Sequence, residues 1–118
     1  MINIYDQIYA ALQPLGYPVR EQGTYAATDT LPETFITYFV ASQDDKSHAD
    51  NLPQSQVSAV QVALYSKRPA IVQNADQALR AALIPAGFLR AGGRALPFEA
   101  TTRHYGYVTT YNFYDSEG

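Results

Sequence analysis

The run Arg103-His104-Tyr105-Gly106-Tyr107-Val108-Thr109-Thr110 has most of the residue types of an RNA-stacking strand. That signature reads basic, Gly, aromatic, Gly or Ala, aromatic, aliphatic, any residue, aromatic. Five of its seven specified positions are met, with His104 where Gly belongs and Thr110 where the last ring belongs. The chemistry would be base stacking on Tyr105 and Tyr107. The context argues against it. In the RNA-binding fold this strand is the third of four and a helix and a strand come after it. Here an acidic stretch, Asp115-Ser116-Glu117-Gly118, follows instead. The chain also opens on a helical pattern, where that fold carries its partner hexamer.

Other chemistry finds less support. His48 and Asp50 form a two-residue ligand pair inside a polar run, with no third ligand at a recognisable spacing, so a solvated loop is the expectation. His104 has no paired carboxylate or nucleophile in its segment and is expected to cap a strand or face a partner rather than act as a base. The serines lie in no nucleophile elbow, and the glycines form no phosphate-binding loop. Cysteine is absent, which removes thiolate metal sites and disulfides. The expectation is a protein that is not an enzyme and uses no cofactor or metal.

The elements that would position these residues follow from periodicity. Ile4, Ile8 and Leu12 recur every four residues, and Pro14 and Gly16 end that helix. Residues 17–20 suit a short edge strand. Thr34–Ser42 is β-branched and aromatic on both faces, which fits a strand covered on both sides or buried at an interface. Residues 43–56 are expected to be an exposed polar loop, long for a hairpin connection. Val57–Ser66 is a second strand, with Val60, Val62 and Leu64 on one face. A helix starts at Pro69, carries the stripe Val72, Ala75, Leu79, Ala82, and is closed by Pro85 and Gly87. Residues 88–99 suggest a further small hairpin, with Gly92–Gly93 as its turn. The last strand puts Tyr105, Tyr107, Tyr111 and Phe113 on one face. The order α-β-β-α-β implies an α+β domain over residues 1–118, a mainly antiparallel sheet with two helices on one face.

Composition narrows the class. Hydrophobic residues make up 47% and charged ones 16%, so a packed core is expected rather than disorder. Asp6 and Gln7 interrupt the apolar start and no basic flank precedes it, so neither a signal peptide nor a membrane span is expected, and cytoplasmic synthesis is the default. The net charge of -3 is uneven: residues 1–59 carry seven acids and two bases, residues 60–118 four acids and six bases. A polarised chain suits head-to-tail contact, acidic face against basic face. Ten tyrosines supply rings with polar tips, suited to partly buried interfaces.

Several fragments in order resemble a known family. A short helix precedes LPETFITYF (Leu31 to Phe39), then come a polar acidic run with ADN (Ala49 to Asn51), a strand with VALYSK (Val62 to Lys67), a helix, Gly87–Phe88 and a closing aromatic strand. This order is similar to the tail-terminator and tail-completion proteins of long-tailed bacteriophages and prophages, over nearly the whole chain. The resemblance implies a virion structural protein at the head-proximal end of the tail. It would form a homo-oligomeric ring, commonly hexameric, that caps the tail tube and meets the head connector. DNA would pass through without specific binding, and no membrane is involved. The resemblance also allows a head-completion or neck protein of the same architecture. An RNA-binding module built on residues 103–111 is the alternative from another class. Residues expected at an oligomer or partner interface are Asp44, Asp45, His48, Asp50, Arg103, His104 and Tyr105.

Overall fold

The computed structural model describes residues 3–23, 31–45 and 55–116, with residues 44, 45, 55, 115 and 116 placed by backbone and register. The first helix, α1 (Ile4–Leu12), starts where the Asn3 side chain accepts the Tyr5 N–H at 2.8 Å, and Asp6 sits in its first turn, favourable to the helix dipole. A 3₁₀ turn, Gln13–Leu15, and Gly16 at φ 80° end it. Strand β1 (Val19–Glu21) pairs parallel with β2 (Thr34–Asp45) through Val19↔Ile36. β2 pairs antiparallel with β3 (Ser55–Ser66). The helices α2 (Pro69–Gln73) and α3 (Ala75–Leu83) follow, then β4 (Phe88–Glu99) and β5 (His104–Ser116). The sheet order is β1-β2-β3-β5-β4, and every pair except β1–β2 is antiparallel.

The strand period sorts side chains onto two faces. Ile36, Leu64 and Tyr107 share one ladder row, and Tyr38, Val62 and Thr109 the next on the same face. This face packs against Ile8 and Leu12 of α1 and Ala75, Leu79 and Leu83 of α3, all fully buried. Phe88 and Tyr111 close the core at the β4 side. The fold is thus α+β, with a mostly antiparallel sheet and its helices against one face.

Three expectations need correction. Residues 88–99 are one edge strand rather than a hairpin, and Gly92–Gly93 is inside it. A Cβ at Gly93 would overlap the Tyr107 hydroxyl, so this glycine makes room for a cross-strand ring instead of turning the chain. Strand β4 is irregular, with register shifts between Arg90 and Gly92 and between Leu96 and Glu99; Pro97 lies in the second, where an edge strand tolerates it. The helix expected from Pro69 is two, broken at Asn74, which caps both. Finally, the ladder runs further into the polar stretch than expected. Gln43–Asp45 and Ser55–Gln56 are strand, paired as far as Asp45↔Gln56, because backbone pairing needs no apolar side chains at a hairpin's solvated end. Residues 46–54 of the expected loop lie outside the described residues.

Candidate interface on the open face of the sheet

Among the described residues no helix packs on the second face of the sheet, yet its side chains are not those of a plain solvated surface. Phe35, Thr37 and Phe39 alternate along β2, and Tyr65, Ala63 and Gln61 stand opposite them on β3. Gly106 and Val108 continue the rows on β5, with Leu96 and Arg94 on β4. Phe35 stacks on Tyr65 at 5.0 Å between ring centroids. Leu96 and Tyr65 both close over Gly106, where an added Cβ would lie 3.0 Å from each. A groove runs across this face in two connected parts. One, about 190 Å³, lies between Phe39, Gln61 and Arg94. The other, about 440 Å³, lies between Leu31, Phe35, Pro97 and His104. Gln22, Thr37, Tyr65 and Leu96 line both.

His104 sits at the inner end of the larger part. Its ring is 3% exposed and meets Phe35 edge-on at 5.2 Å. Its Nε2 is 2.8 Å from the Pro32 carbonyl oxygen. A carbonyl can only accept, so Nε2 is the donor in this contact. Nδ1 is buried without a partner among the described residues. Burial raises the Tyr65 hydroxyl's pKa, so this ring stays neutral across the physiological range. Arg94 is exposed and among the described residues makes no ion pair.

The covered face holds a different polar group. Arg90 of β4 donates from Nε to Asp76 of α3 at 2.8 Å and from Nη2 to the Tyr107 hydroxyl at 2.9 Å. Arg80 donates to the other oxygen of Asp76 at 2.9 Å. Desolvation opposes ionisation of Asp76, but the hydrogen bonds and charges of Arg90 and Arg80 outweigh it and hold its carboxyl below the usual range. This network ties α3 to both strands of the β4–β5 hairpin and reads as a structural clamp.

The structure separates the residues expected at one interface. Asp44 and Asp45 lie at the far end of β2, in ladder rows with Tyr114 and Asp115 of β5. Arg103, His104 and Tyr105 lie at the other end of the strands, where Tyr105 pairs with Ser66. Those rows are nine residues apart on β3, about 30 Å. The seven residues therefore form no single patch. His48 and Asp50 lie outside the described residues. Arg103 is exposed in the β4–β5 turn, at φ 64°. His104 is held inside the subunit by Phe35 and Pro32, so it presents no ring to a partner. Tyr105 packs at a tilt against Phe98 at 4.7 Å between ring centroids, and Tyr107 is engaged by Arg90, so both signature rings already have partners within the chain. Arg94 and Leu96 were missed because they lie in the run read as a hairpin. The alternation of Phe35, Thr37 and Phe39 was the usable signal for the open face. Set against known protein families and curated proteins, the chain matches no family model and no curated sequence.

Proposed function

We propose that this chain is a structural subunit of a virion, a tail terminator of a long-tailed bacteriophage or prophage. It assembles into a closed homo-oligomeric ring that caps the tail tube and then receives the head connector. The observation that carries this reading is the open sheet face. An antiparallel sheet can leave one face to water when that face is polar. Here the half-buried Phe39, Tyr65, Leu96 and Val108 line a groove beside the buried Phe35, the composition of a surface that another protein covers. The order of sequence fragments supplies the station in the virion. The net charge of -3 per subunit fits a ring whose lumen lets DNA slide without sticking.

The test is assembly of the purified chain. Native mass spectrometry at rising concentration should give one closed stoichiometry, and negative-stain images should show rings. Rings that bind tail tubes support the terminator station. Rings that bind only the head connector move the protein to the neck.

A further inference from the structure

We draw no further inference here: the strongest candidate, the groove on the open face of the sheet lined by Phe35, Tyr65 and Leu96, carries nothing because its lining includes both Arg94 and Glu99 and nothing in the structure shows what covers it.

Discussion

Two adjacent glycines in β4 should respond oppositely to the same substitution. At Gly93 an added Cβ would overlap the Tyr107 hydroxyl and lie 3.0 Å from Arg90 Nη2. Both φ values are ordinary for a strand, so space alone decides. To admit a methyl group, Tyr107 must swing away and give up its 2.9 Å hydrogen bond from Arg90. A hydrogen bond to a charged group contributes about 1.5–3 kcal/mol, and partial exposure lowers this to about 1–2 kcal/mol. Unfolding entropy of about 2.1 cal/mol/K per residue makes 1 kcal/mol worth roughly 4 °C in a chain of this length. Gly93→Ala should therefore melt about 4–8 °C lower. At Gly92 nothing lies within 4 Å of the added Cβ. Gly92→Ala loses chain entropy only in the unfolded state and should be neutral or stabilising by up to about 1 kcal/mol. Thermal and urea unfolding of both variants reads the difference. Equal tolerance at the two sites would mean that the pair forms a turn after all, and that Tyr107 does not pack across Gly93.

Other outcomes follow from the core and its polar contacts. Leu79→Ala, at a fully buried site on α3, should cost about 2–5 kcal/mol in urea unfolding. The depressed carboxyl of Asp76 stabilises the fold fully above the usual value of 3.8, and that contribution is lost as pH falls through the lower folded value. Acid unfolding curves should therefore show the parent protein losing more stability than Asp76→Asn below about pH 4. His104→Leu strips the Pro32 carbonyl of its donor and should cost about 1–3 kcal/mol in thermal or urea unfolding.

The parts of the fold legible in the sequence are those whose periodicity is local. The spacing of Ile4, Ile8 and Leu12 marks α1, and Val60, Val62 and Leu64 mark β3. Strand β4 escaped because FLRAGGRALPFE contains two glycines and a proline, which read locally as punctuation. Their meaning comes from β5: Tyr107 occupies the space that Gly93 leaves, and Pro97 sits at an edge bulge. The parallel placement of β1 is a long-range choice with no local signature. How the residues expected at an interface lie relative to one another was not legible. Asp44 and Asp45 do lie at a strand end, but the antiparallel order carries Arg103–Tyr105 to the opposite end of the sheet. Rows separated by strand length look equivalent in sequence, and a His beside a Tyr does not announce that its ring turns inward.

The central claim is that one copy covers another. Native mass spectrometry of the purified full chain, from low to high concentration, tests it most directly. The account predicts a single closed oligomer that gains population with concentration and shows no open series of larger species. A monomer alone across the whole range, with tail-tube protein added, would contradict it.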